Sequence, residues 1–230
     1  MHDIAIITRV HYPKKSAEFD WRFGFYRDYI LPCLLEQEDK DFDIAIWCEP
    51  WHEEQFLALS DKIRTFQATH TPGYHAGHVS SGIFTDFTEW GNVSGLPEYK
   101  IQAGLDSDDI VGPEYIKAIR GLCVGDETML VSFQPMLLNA STGMLASMSQ
   151  YTTEKTSAFF ALYNPGKTPY RFAYCEGHVR LWKIVEKVVM VEQGHCCAVS
   201  HGHNDSTHWS LLALSILQNE WPWARLIKRV

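Results

Sequence analysis

Two patterns of apolar residues divide the chain. Up to about residue 125, short apolar runs alternate with stretches whose apolar residues recur every three or four positions. Residues Ile4 to Val10 (IAIITRV) form an unbroken run, as in a parallel strand buried on both faces. Phe42 to Cys48 (FDIAIWC) is a second strand, ending at Glu49-Pro50, and Arg64 to Thr69 a short third. Ile101, Ala103 and Leu105 alternate with the two-residue period of a strand. Between these runs the spacing predicts helices. One spans about Asp20 to Gln37, with Phe19, Phe23, Tyr26, Ile30 and Leu34 on one face. Pro32 falls inside that pattern and should kink or shorten it. Others cover Glu53 to Ile63 and Val79 to Trp90, and a fourth starts at Pro113, with Tyr115, Ile116 and Ile119 facing inward. Strand and helix alternating four times predict a Rossmann-like half built on a parallel sheet.

The second half reads differently. Met129 to Phe133 and Leu137 to Ala140 are expected as strands around a turn, with further strands at Ala158 to Tyr163 and Phe172 to Tyr174. Lys187 to Val191 and Cys196 to Val199 enclose a turn at Gln193-Gly194. Asn204-Asp205-Ser206 supplies an N-cap for a helix from about Thr207 to Leu217. This region is β-rich and hairpin-like. No repeat or linker interrupts the 230 residues, so a single domain is expected, with halves 1–125 and 126–230.

Composition narrows the function classes. A formal charge of −8 argues against a nucleic-acid partner, which demands a basic stripe, but not against a nucleotide whose phosphates one metal ion can neutralise. Six cysteines lack disulfide spacing, and buried thiols are expected. No run approaches the roughly 20 apolar residues of a membrane span, and no signal segment opens the chain, so a cytoplasmic protein is the expectation. The tail from Trp221 to Val230 sets Arg225, Lys228 and Arg229 among Trp and Leu, which suits either a packed extension or peripheral contact with a membrane surface.

The chemistry concentrates where the alternating strand at Ile101 runs out into Asp106-Ser107-Asp108-Asp109. Acids beyond the carboxyl end of a strand in an α/β chain sit where ligands bind. Close carboxylates repel unless a cation or a buried proton relieves them, and hard divalent metals are a common answer. Asp and Ser are also turn formers, so loop chemistry is the plain alternative, with Asp109 a helix cap. A calcium EF-hand fails on spacing, because Ile110 and Val111 occupy its fifth and sixth places. A phosphatase with an aspartate nucleophile would carry its DxD after the first strand, where Thr8-Arg9 stands. Carboxyl ends of parallel strands share one edge, so Glu49 lies on the side of Asp106, placed to hold a nucleoside base or ribose hydroxyl, and Arg9 to reach phosphate. The two equally suit a surface ion pair. The run His195 to His208 is histidine-rich and able to deliver an imidazole to a metal, though adjacent Cys196-Cys197 lacks the gap of a zinc pair. Glu176 is the candidate general base, ahead of Glu89 and Asp86, with a solvated turn glutamate as the alternative.

These residues resemble the GT-A nucleotide-sugar glycosyltransferases, and more narrowly the rhamnosyltransferase-like bacterial family. Asp106-Ser-Asp108-Asp109, with Pro113-Glu-Tyr following, is similar to the DxDD…P pattern of the large inverting group. Thr8-Arg9, Arg22, Leu31 to Gln37, Asp41-Phe42, Leu105 to Asp109 and His201-Gly-x-Asn204 are the matching pieces, in order over most of the chain. Gly104 departs from the positive or polar residue more frequent there, and Glu49 from Asp. The resemblance implies a mixed central sheet flanked by helices with a β-rich acceptor-side half. It implies a donor-binding set of Thr8, Arg9, Glu49, Asp106 and Ser107, and Mn²⁺ or Mg²⁺ held by Asp106, Asp108 and His201. The activity implied is metal-dependent transfer of a sugar from a nucleoside-diphosphate donor to a glycan or lipid-linked acceptor, with Glu176 as base. A nucleotidyltransferase-like sugar-phosphate enzyme is disfavoured because His11-Tyr-Pro-Lys14-Lys15 has no glycines after the first strand. A non-catalytic nucleotide-sugar-binding module is disfavoured by the intact acids.

Overall fold

The run Ile4–Val10 forms β1, the strand from which the sheet grows in both directions. Six of its seven residues are buried, because the strand is covered on both faces. It pairs in parallel with β2 (Asp43–Cys48) on one side and with β5 (Ile101–Gly104) on the other. The computed structural model describes residues 2–10, 17–68, 93–94, 97–139, 144–147, 157–166, 173, 178–192 and 195–200. Beyond β2 lie β3 (Ile63–Ala68), parallel, and β4 (Val93–Ser94), antiparallel. Later segments complete the other side. β10 (Phe160–Tyr163) runs antiparallel between β5 and β7 (Met129–Phe133), and β11 (Lys187–Val191) joins β7 in parallel. The eight-stranded order is β11-β7-β10-β5-β1-β2-β3-β4. This is the mixed central sheet that the resemblance implied.

Alternation along the strands separates two cores. Ile4, Ile6, Ile44, Ile46, Ile101 and Ala103 meet the helices on one face, against Phe19, Tyr26, Phe56, Tyr115 and Ile119. Ala5, Ile7, Ala45 and Trp47 pack on the other with Phe66, Tyr99, Phe160 and Leu181. Fully burying one such side chain contributes roughly 1.5–3 kcal/mol, so both faces contribute substantially to stability.

The first helical segment continues from α1 (Ala17–Phe25) through a π-turn (Tyr26–Ile30) into α2 (Leu31–Leu35). Pro32 neither breaks it nor leaves a plain α-helix. It has no N–H for the carbonyl one turn back, and the ladder widens ahead of it, the Leu31 N–H bonding to the Tyr26 carbonyl. The helix expected over Glu53 to Ile63 is shorter, a 3-10 turn (Pro50–His52) followed by α3 (Glu53–Leu57), because Ser60 already turns the chain into β3. The helices expected at Val79 to Trp90 and Thr207 to Leu217 lie outside the described residues.

Four expectations are corrected. The acidic loop does not enter the helix directly: a short strand, β6 (Ile110–Val111), precedes α4 (Tyr115–Leu122). It pairs with β12 (Cys196–Ser200), which pairs with β8 (Met136–Asn139), itself paired with β9 (Met144–Ser147), giving a second sheet β6-β12-β8-β9. The segments 129–133 and 136–139 are therefore not partners across a turn. The chain changes sheet at Gln134-Pro135, where the Gln134 N–H bonds to the Val191 carbonyl. The segments 187–191 and 196–200 likewise belong to different sheets. Each strand's apolar pattern fits a partner, but the partner is set by long-range burial. Finally, Ala173 lies in a turn, so the strand expected at Phe172 to Tyr174 is not formed at its centre.

Gly104 has a specific steric reason to be glycine. It sits opposite Phe160 on β10, and a Cβ added there would lie 2.5 Å and 2.6 Å from two ring carbons of Phe160. That ring is 1 % exposed and has little room to yield. The departure from the polar residue of similar sequences is thus matched by an aromatic ring across the pair. Gly104→Ala is expected to lower stability by about 1–3 kcal/mol in urea unfolding, with partial recovery on adding Phe160→Leu.

Candidate functional site

Strands β2 and β3 lie on one side of β1 and β5 on the other, so the order reverses between β1 and β5. A crevice outside the carboxyl ends at such a reversal is the usual ligand position in an open α/β sheet. Here the register brings Ile7 beside Gly104 and Arg9 beside Trp47. The Leu105 N–H bonds to the Ile7 carbonyl at 3.0 Å, carrying the β1–β5 alignment past the last paired residues. Ile7, Trp47 and Phe160, opposite Gly104, belong to the second core. Two residues further along each strand, alternation puts Arg9, Glu49 and Asp106 on that same face at the carboxyl edge. Arg9 and Glu49 are half-buried and Asp106 is exposed. Arg9, Glu49 and Asp106 therefore stand at the carboxyl ends of three neighbouring strands.

Thr8, expected beside them, is on the opposite face and fully buried. Its hydroxyl lies beside that of Tyr26; burial pushes the Tyr26 phenol well above its ordinary value, and Thr8 offsets only part of that rise.

The acids themselves form a four-residue turn, closed by the Asp109 N–H on the Asp106 carbonyl at 3.3 Å. Turn chemistry and an acid cluster thus coexist. Ser107, Asp108 and Asp109 are 4 %, 7 % and 7 % exposed, leaving Asp106 as the outward carboxylate. Asp108 Oδ2 accepts a 2.9 Å bond from Arg22 Nη1, and Arg22 is itself 6 % exposed. Arg22 Nε lies 3.7 Å from Glu18, one helical turn earlier. Asp109 Oδ1 accepts the Val199 N–H at 3.2 Å, fastening β12 to the turn. Burial raises the Asp109 carboxyl well above the ordinary carboxylate range, and Asp108 and Asp106 raise it further, against opposing contributions from Val199 and Arg22.

Asp109 is therefore not a helix cap. The N-cap of α4 is Glu114, which makes no side-chain cap bond. Gln37, fully buried, takes over: its Oε1 accepts the Ile116 N–H and its Nε2 donates to the Gly112 and Cys33 carbonyls. Arg22 appeared in the sequence without a task. Its signal was there, a guanidinium among Phe19, Phe23 and Tyr26 on an apolar helix face, where a charge needs a partner.

Glu176 and His201 lie outside the described residues. His201 follows two positions after the tethered Val199. Among the described residues no three His, Cys, Asp or Glu side chains form a group able to hold a metal. Cys33, Cys48, Cys123, Cys196 and Cys197 are free and buried. Burial pushes the first three thiols up to about 12 and the last two well above their ordinary value. They are inert packing groups at neutral pH.

The family described as "Putative rhamnosyl transferase" matches residues 5–211. The chain belongs to this family. No curated protein sequence matches it. Among solved structures it is similar to S. aureus TarS 1–349, with a TM-score of 0.51 and 10% identity over 85% of this chain and 60% of that one. TarS 1–349 in complex with UDP-GlcNAc gives a TM-score of 0.52 and 11% identity over 87% and 59%. These likenesses agree with the GT-A fold. The chain spans about 60% of the length of these structures. No helix among the described residues is long and apolar enough to cross a membrane.

Because the Asp109 carboxyl is raised in the folded state, its ionisation costs stability as pH rises from the unfolded carboxylate range through the folded value. Asn at this position keeps an oxygen for the Val199 N–H and removes the charge. Asp109→Asn is expected to melt at or above the wild-type temperature near neutral pH. The difference should shrink as pH falls toward about 4, in thermal melts across that range.

Proposed function

We propose that this family member is a glycosyltransferase moving a sugar from a nucleoside-diphosphate donor to an acceptor hydroxyl. The observation that carries the reading is the row of Arg9, Glu49 and Asp106 along the carboxyl edge at the β1/β5 reversal. A guanidinium beside carboxylates there suits a ligand with both phosphate and hydroxyl groups. The family's description and the UDP-GlcNAc held by TarS support a nucleotide-sugar donor. In this reading Arg9 reaches the diphosphate, Glu49 holds a base or ribose hydroxyl, and Asp106 and Ser107 complete the donor side.

The charge of the turn calls for a divalent cation, whose ligand set would be completed from outside the described residues. Three carboxylates crowd one turn, and Arg22 supplies a positive charge among them. Asp106 and Asp108 would hold Mn²⁺ or Mg²⁺, with His201 as the further ligand implied by family resemblance. Bound there, the cation would offset the negative charge gathering on the leaving diphosphate. The protein's own part is to position the donor. Arg9 holds phosphate, the turn fixes the carboxylates against α1 and β12, and the second core beneath Arg9 closes the sheet to water. Glu176 is proposed as the base that takes the proton of the acceptor hydroxyl. A glycan or lipid-linked acceptor fits a tail rich in Trp and cations, with peripheral contact to a membrane surface.

Calorimetric titration with UDP, GDP and TDP, with and without Mn²⁺, is expected to give binding that requires the metal. Equal binding in the presence of chelator would sink the metal assignment. Asp106→Ala is expected to lose donor hydrolysis by at least roughly 100-fold with an unchanged melting temperature, since the side chain is exposed.

A further inference from the structure

The acidic turn has a partner that the donor reading does not use. Arg22 comes from α1, on the helix-covered face of the sheet, whereas alternation from Ile7, Trp47 and Gly104 directs Arg9, Glu49 and Asp106 toward the other face. Its guanidinium crosses the carboxyl edge to Asp108, 86 residues later, and both side chains are withdrawn from water, at 7 % and 10 % exposure. Asp109 is committed elsewhere, to the backbone of β12. Asp106 alone of the three carboxylates is exposed.

We propose that Arg22 is the fixed counter-cation of the acidic turn, a positioning residue that fixes Asp108 through Oδ2 beside the exposed Asp106, so that the turn is shaped before a donor-bound cation arrives. The charge pattern supports this assignment. A lone buried guanidinium or carboxylate is strongly unfavourable, so each member of the pair is required by the other. Arginine suits the place better than lysine, since its planar fork serves Asp108 through Nη1 while Nε remains turned toward Glu18. With one permanent positive charge in place, the turn keeps its shape before any metal arrives. A mobile cation then has to complete the neutralisation and not build the site. The part of the inference that concerns a cation rests on the metal reading above; the pairing itself does not.

The test is a double-mutant cycle on the whole chain, using Arg22→Met, Asp108→Asn and the double variant, each melted in chelator and in millimolar Mn²⁺. In chelator both single variants should melt lower, and the double variant should lose clearly less than the sum, because it strands no charge. Mn²⁺ should raise the melting temperature of Arg22→Met more than that of wild type, the metal taking over the missing positive charge. Arg22→Lys should keep most of the stability and suppress that extra response, which a purely steric role would not predict. Strictly additive losses, or a Mn²⁺ response that is present and equal in wild type and Arg22→Met, would overturn the assignment. Coupling without a Mn²⁺ response in any variant, wild type included, supports the pairing and removes the metal reading instead. Should Arg22→Met fail to fold, the double variant is expected to fold, and failure of both overturns the proposal.

Discussion

Three carboxylates in one tight turn at the edge of a sheet cannot stand without help, and the surrounding structure is arranged to supply it. Asp108 is met by a guanidinium from the helix that covers one face. Asp109 is met by a backbone N–H from the second sheet. The turn is therefore the junction where the parallel half, the helical layer and the β-rich half come together. Loosening any of these connections would release like charges that sit against each other in a poorly solvated place.

The two faces of the sheet divide the work. The helical face holds its contents dry: Thr8 and Tyr26 are fully buried there, although Thr8 is at the same strand end as Arg9. The other face closes over Ile7, Trp47 and Phe160 and then opens at its carboxyl edge, where Arg9, Glu49 and Asp106 follow. A one-residue alternation thus separates a fully buried threonine from a half-buried arginine at the carboxyl edge. The Phe160 ring lying over Gly104 forms the end of the closed part, immediately before the chain reaches Asp106.

The second sheet packs into the helix-side core through Met136, Leu138, Cys196, Cys197 and Val199, and its backbone meets the acidic turn at one short ladder. Strand β6 is two residues long, yet it receives β12, and the Gly112 N–H bonds to the His195 carbonyl beside it. This short ladder and the Asp109 tether hold β12 beside the acidic turn. Burial of Cys196 and Cys197 under that ladder explains why their thiols serve as packing groups.

Much of the central sheet was legible in the sequence because its strands are local signals. The apolar run at Ile4–Val10, the run ending at Cys48 and the alternation before Asp106 each encode burial by themselves, and their order encodes a parallel half. The acids at Asp106 to Asp109 were visible as a turn and as a charge problem. What the sequence did not carry is partner choice. Nothing local says that β7 and β8 part company, that β10 inserts between β5 and β7, or that Arg22 rather than solvent answers Asp108. Those outcomes depend on which distant surfaces are buried together, and alternation in one strand is satisfied by several partners. Sequence alone determined where the charges are; the tertiary structure decided which of them are buried and which stay at the carboxyl edge, because that depends on the face and edge each one reaches after the sheet is assembled.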